Sequence, residues 1–244
     1  MVLSVGIWIV GSLLWDEHPT RKQWRQDRLD LARAIPIATP IRYGRCSSSR
    51  RNSYTMVFSE ALSRDGGKMG QAIVVPCQRA IRTIDDLIEE AECLWGAEMK
   101  SASSNRRISA DWGCVALAVN PKAAVPEHLL QGWSNRVARE GKYGDLIHAE
   151  DEAAVVSSVG RLMLPWPLQK DGSPLKLDAI LATATNPTLI DGRYPMAQEV
   201  ADGWVRCADR TRVQYFWENR AHGIVTFQDD EIESTLCGEK SNEG

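Results

Sequence analysis

LSVGIWIVGSLLWD, residues 3–16, begins with a run of apolar and small residues and turns charged at Asp16. Apolar sequence without alternation is the pattern of a central strand covered on both faces. Gly11 and Ser12 end that strand. A membrane span needs about 20 apolar residues. This stretch is shorter, has no basic flank and no small-residue cleavage site, and so reads as a buried strand rather than a signal or an anchor. The expectation is a cytoplasmic chain with no membrane contact.

Outward from that strand, Pro19 to Ala34 is charged, with Trp24, Leu29 and Leu31 as its few apolar positions, and reads as a loop and a surface helix. IATPIRYGRC (37–46), YTMVFS (54–59) and GQAIVVPC (70–77) are three strand-like segments separated by polar, Gly-rich sequence, as in an antiparallel sheet or small barrel. Thr83 then caps a helix whose first turn carries Asp85 and Asp86 and whose apolar stripe is Ile84, Leu87, Ala91 and Leu94. WGCVALAVN (112–120) reads as a second buried strand, Glu127 to Arg139 as a helix, Asp178 to Thr183 as a strand and Pro195 to Ala208 as a helix. Strands interleaved with separate helices predict an α+β fold with a largely antiparallel sheet. Residues 4–10, 71–76 and 113–119 should share that sheet, with Leu87, Ala91 and Leu94 packed on it. One domain over residues 1–238 is expected, with a core at 4–120, a C-terminal extension at 121–238 and a flexible tail at 239–244.

Composition narrows the function. The 244 residues are 43% hydrophobic and 25% charged, within the range of ordinary globular chains. A net charge of −3 supplies no basic field, which argues against nucleic acid and anionic membranes as partners. Cys46, Cys77, Cys93, Cys114, Cys207 and Cys237 form no C-x-x-C pair, so six free thiols are expected. His18, His128, His148 and His222 are isolated, and no metal site is expected. Tyr215-Phe216-Trp217, with Arg210, Arg212 and Arg220, reads as a packed helix with a cationic face.

Two features point to chemistry. A strand ending in Gly11-Ser12 can present successive backbone N–H groups to a carboxylate or an oxyanion or, more simply, be a plain loop. Glu98 continues the helical series 84, 87, 91, 94, which sets a carboxylate at the end of an apolar stripe: either it emerges into solvent as the helix ends, the commoner case, or it lies in a partly dry pocket, the setting of a general acid or base. Glu89, Glu90 and Glu92 fall toward solvent by the same count. Arg42, Arg45, Arg50 and Arg51 offer a carboxylate or phosphate clamp or, more simply, an exposed hairpin. Cys46 has basic neighbours of the kind that lower a thiol pKa or, more simply, is a buried or incidental thiol. Trp8, Trp15, Trp95 and Trp112, read mostly as core, lie near the expected pocket, with Trp15 and Trp95 as candidate walls.

VGSLLWD resembles the YGSL(I/L)W motif of the γ-glutamylcyclotransferase-like superfamily, especially its glutathione-degrading branch. IRYGRCSSSRR with YTMVFS resembles the following strand pair of that family, GQAIVVPC its next strand, and DDLIEEAECLWGAE the helix leading to its catalytic Glu. The resemblance covers residues 4–120, and YFWENRAHGIVTFQDDEI is loosely similar to the closing region. It implies a mixed α+β barrel or sheet with surrounding helices. It also implies a reaction without cofactor or metal, in which the α-amine of a γ-glutamyl amine or peptide attacks its own γ-carbonyl and releases 5-oxoproline. By motif position, Gly11, Ser12, Leu13, Leu14 and Trp15 would bind substrate and Glu98 would move the proton. Val10 departs from the family by standing where its Tyr does, and the region beyond residue 120 is long. The competing expectation is therefore a non-catalytic module with the same cavity, docking a protein partner through its C-terminal half.

Overall fold

The computed structural model describes residues 2–47, 53–65, 67–101, 106–140, 143, 153–205 and 211–238. Arg50, Arg51, His148, Cys207, Arg210, the side chain of Arg212 and the tail 239–244 lie outside the described residues. In chain order the elements are β1 (Val5–Ile9), α1 (Pro19–Arg28), β2 (Ile35–Thr39), β3 (Ile41–Ser47), β4 (Ser53–Phe58), α2 (Glu60–Asp65), β5 (Gly70–Pro76) and α3 (Ile84–Glu98). They continue with β6 (Ser109–Ala110), β7 (Gly113–Val119), α4 (Glu127–Glu140), β8 (Ala179–Thr185), α5 (Ala197–Val205), α6 (Thr211–Ala221) and α7 (Asp229–Gly238). The fold is α+β.

Six strands form one mixed sheet in the order β2-β5-β1-β8-β7-β6, and β3 and β4 form a separate pair. The large sheet is not closed, so the barrel-like expectation gives way to an open sheet with β2 and β6 at its ends. β1 is central, antiparallel to β5, with Ile7 opposite Val75, and parallel to β8, with Ile7 beside Leu181. β8 in turn pairs antiparallel with β7, Leu181 opposite Leu117. All of Val5 to Ile9 is buried, as the unbroken apolar run requires. Residues after position 120 thus supply a strand at the centre of the sheet.

The segment expected as one strand at 37–46 divides at Pro40. Proline has no N–H for a ladder bond and marks strand ends; here Ile37 stays with β5 while Ile41 pairs with Phe58 of β4. The β3–β4 register shifts between Tyr43 and Arg45, a bulge at Gly44. A Cβ on Gly44 would stand 2.6 Å from a methyl of Val57, so the bulge needs glycine.

α3 begins as its sequence indicates. The Thr83 hydroxyl accepts from the Asp86 amide at 3.2 Å, and the Asp86 carboxylate accepts from the Thr83 amide at 2.9 Å, a capping box. Thr83→Ala is expected to cost about 1 kcal/mol, typical of a lost cap, read as a lower urea midpoint with an unchanged m-value. Leu87, Ala91 and Leu94 are buried, and α3 packs on β7 and β8.

Two expectations about charge are corrected. Glu90 is only 1% exposed, because α3 packs against α1 as well as the sheet, and its buried face is wider than the apolar stripe. Its carboxylate accepts from Arg28 at 3.1 Å, and burial raises its pKa. α1, read as a surface helix, buries Arg21 and Arg25 along with Trp24. Buried guanidinium groups require carbonyls and carboxylates around them, and these come from the turn after β1 and the end of α3. Cys46, Cys77, Cys93, Cys114 and Cys237 are free thiols. Among the described residues, no helix is long and apolar enough to cross a membrane.

Candidate functional site

The carboxyl ends of the parallel neighbours β1 and β8 meet at a cavity of about 410 Å³. Crevices outside the carboxyl ends of parallel strands are the usual ligand sites of open sheets. Gly11, Ser12 and Leu13 enter the cavity wall from the turn after β1, and Glu98 enters from the last residue of α3. The structure thus brings together the two features singled out in the sequence. Leu14 and Trp15 do not line the cavity. Leu14 packs on the core, and Trp15 donates its indole N–H to Asn219 Oδ1 at 2.8 Å.

The turn is a single tight winding. The amides of Leu14, Trp15 and Asp16 donate back to the carbonyls of Gly11 and Ser12, which leaves the earlier amides outside the turn's own ladder, as at a helix N-terminus. Arg21, 3% exposed, fastens this turn to α3. Its Nη1 donates to Ser12 Oγ at 2.7 Å and to Asp16 Oδ2 at 2.9 Å, its Nε to the Ala97 carbonyl at 3.0 Å, and its Nη2 to Glu98 Oε2 at 3.2 Å. A cation at the carboxyl end of a helix also meets the negative end of the helix dipole. Arg25 supports the turn from below, donating to the carbonyls of Leu13 and Asp16 at 2.9 and 2.8 Å.

α3 ends in a Schellman motif: the Ser101 amide bonds to the Gly96 carbonyl at 3.0 Å and the Lys100 amide to that of Ala97 at 3.3 Å. Lys100 occupies the left-handed position with φ 52°, where glycine is usual. Its ammonium lies 2.9 Å from Asp16 Oδ2, so the contact ties the helix end to the turn a second time. Burial raises the Asp16 pKa, but the Lys100 hydrogen bond, the His18 amide and Arg21 outweigh it and hold the carboxyl at about 2.

Tyr215 of α6 was read in the sequence only as part of a packed helix. It is packed, 6% exposed, yet its hydroxyl reaches the cavity over the Gly11–Leu13 turn. A Cβ on Gly11 would stand 2.7 Å from that oxygen, so the close approach explains the glycine. Trp8 and Trp112 line the cavity, where Trp15 and Trp95 were expected; Trp95 lies behind Trp112, stacked on it at 4.7 Å. Of the arginines flagged on β3, Arg45 lines the cavity, whereas Arg42 lies over the Tyr194 ring at 4.2 Å. The Cys46 thiol is not activated: burial raises its pKa more than Arg45 lowers it. Arg21, Lys100, Thr183 and Tyr215 are among the cavity residues that sequence reasoning missed. Lys100 comes in with the Schellman end of α3, and the other three are brought in by tertiary packing, without a local motif.

Among the described residues, no group of three His, Cys, Asp or Glu side chains is placed to hold a metal ion. Comparison with known proteins finds no matching family model, no matching curated protein and no matching solved structure.

Proposed function

We propose that the chain is a cytoplasmic cyclotransferase of the γ-glutamylcyclotransferase-like type, acting on a γ-glutamyl amine or peptide. The observation that carries this reading is the convergence of the Gly11–Leu13 turn and the Glu98 carboxylate on one cavity, bridged by Arg21. The α-amine of the substrate, as free base, forms a C–N bond to its own γ-carbonyl. The bond from that carbonyl to the leaving nitrogen breaks. One proton departs from the attacking nitrogen and one reaches the leaving nitrogen, so 5-oxoproline forms without consuming water or electrons. Glu98 takes the first proton and returns the second. The turn amides hold the negative charge that develops on the carbonyl oxygen. Nucleophile and electrophile belong to one molecule, so holding them together supplies much of the rate.

Tyr215 supplies from α6 a hydroxyl beside the turn, where Val10 has none to offer. Tyr215→Phe is expected to weaken binding of 5-oxoproline about threefold to tenfold, the worth of one neutral hydrogen bond, with thermal stability nearly retained. Isothermal titration alongside a melting curve checks both.

The reading is tested by measuring 5-oxoproline release from a panel of γ-glutamyl amines and peptides. Turnover on any member supports it. A chain that binds 5-oxoproline yet releases none from the whole panel is instead a binding module with this cavity, the reading that Val10 favours.

A further inference from the structure

We infer that Thr183, on β8, binds the nitrogen that closes the ring. Its hydroxyl oxygen accepts an N–H from the α-amine of the γ-glutamyl group and, after closure, from the lactam of 5-oxoproline. This inference rests on the cyclotransferase reading of the same cavity.

Three observations carry it. The first is an unmet hydroxyl. Thr183 is 7% exposed and lines the cavity, and its Oγ1 has no hydrogen-bond partner among the described residues. An unpaired buried hydroxyl costs stability, and nearly all are bonded, so this one calls for a ligand atom. Three other hydroxyls of the wall are already engaged. Ser12 Oγ accepts from Arg21 at 2.7 Å, the Thr55 hydroxyl donates to the Arg45 carbonyl at 3.3 Å, and the Tyr215 hydroxyl accepts from the Met56 amide at 3.5 Å.

The second is placement. The parallel register sets Ala182 beside Trp8, so Thr183 stands level with Ile9, on the strand next to β1 and two residues short of Gly11. Neighbouring strands lie about 4.8 Å apart, which sets Thr183 beside the turn whose amides face the carbonyl oxygen. Its partner across β7 is Val115, whose side chain has no polar group to offer. A lactam is a cis amide, so its N–H and its carbonyl oxygen point to the same side of the ring. A donor from the turn next to an acceptor from β8 matches that pair.

The third is the balance of donors and acceptors. The attacking α-amine, as free base, carries two N–H bonds and one lone pair. The lone pair forms the C–N bond to the γ-carbonyl, one proton passes to Glu98, and the bond to the leaving nitrogen breaks as that nitrogen receives a proton. The second N–H survives as the lactam N–H and needs an acceptor before and after closure. The wall is rich in cations, with Arg21, Lys100 and Arg45, and among the described residues Glu98 is its one carboxylate. Glu98 is bonded to Arg21 and takes the first proton. The second N–H therefore falls to a hydroxyl, whose oxygen has lone pairs to accept it.

The test uses the full chain and two probes, 5-oxoproline and its lactone isostere 5-oxotetrahydrofuran-2-carboxylate, in which a ring oxygen replaces the N–H. Isothermal titration is expected to show wild type binding the lactam about threefold to tenfold more tightly than the lactone, the worth of one neutral hydrogen bond. Thr183→Val should bring that ratio close to one, and Thr183→Ser should restore part of it. Valine keeps the branched shape and removes the unpaired oxygen, so the free variant should melt no lower than wild type. A hydroxyl with a merely structural role would instead lower the melting temperature and leave the ratio intact. No binding of 5-oxoproline, or equal affinity for the two probes, overturns the contact. So does a lactam preference that persists in Thr183→Val. Release from no member of the γ-glutamyl panel overturns the cyclotransferase reading separately; a lactam preference that Thr183→Val removes then still supports the contact, in a cavity that binds without turnover.

Discussion

Glu98→Gln is expected to lower kcat for 5-oxoproline release by about 10²–10⁴-fold, the usual worth of a positioned acid or base, while the chain stays folded. Glutamine keeps the length and hydrogen-bonding reach of glutamate but exchanges no proton near neutral pH. The structure explains why the fold should tolerate it. Glu98 is 20% exposed, and Arg21 keeps Ser12, Asp16 and the Ala97 carbonyl as partners after the change. Binding of 5-oxoproline should persist, because the turn amides and Tyr215 are untouched. Glu89→Gln is the matched control on the same helix. Glu89 pairs with Arg28 and Arg79, away from the cavity, and its removal should change turnover little. Full activity in Glu98→Gln would end the proposed chemistry.

Arg21→Met should have the larger effect on stability, about 3–5 kcal/mol, the range found when one partner of a buried charge pair is removed. Methionine fills much of the space but donates nothing to Ser12, Asp16, Ala97 or Glu98. Two carboxylates are left at the site with Lys100 as the cation bonded to Asp16. The pH dependence follows from Asp16. Its folded pKa of about 2 lies below the ordinary 3.8, so its contribution is present above pH 4 and lost as pH falls toward 2. Without Arg21 that pKa should rise, and acid unfolding should begin at higher pH. Urea titrations at pH 7 and circular dichroism from pH 5 to 2 measure the two effects. An unfolding free energy within 1 kcal/mol of wild type would show that Arg21 does not hold the turn to the helix.

Parts of this were legible in the sequence for identifiable reasons. That Glu98 lies at the end of a buried helix face is legible because its neighbours at 87, 91 and 94 are apolar and helical spacing is rigid. The turn was found because an unbroken apolar run stops at Gly11. Both are local patterns. Arg21 carries no such signal: its charge suggested solvent, and only the joint approach of α1, the turn and the end of α3 makes burial affordable. Tyr215 lies beyond any window that includes Gly11, and the contact between Trp15 and Asn219 spans 204 positions. The burial of Glu90 escaped because one apolar stripe cannot reveal that α3 packs on α1 and α4 as well as on the sheet. The division at Pro40 was visible as a proline, but alternation alone cannot say to which sheet each half belongs.

The parallel pairing of β1 with β8 also sets a timetable. The bonds between Ser4 and Asp178 join positions 174 apart. At the ordinary pace of synthesis, about 5–20 residues per second, β1 waits on the order of 10–30 s for its second neighbour. During that interval it can pair with β5 on one side, while its other side remains an open edge of apolar sequence, the kind of edge through which chains aggregate. Contacts this distant are also slow to form once the whole chain is present. A fragment ending before residue 179 would keep that edge permanently, however complete its Gly11 turn and its Glu98, and is expected to aggregate rather than to fold as a smaller version of the protein.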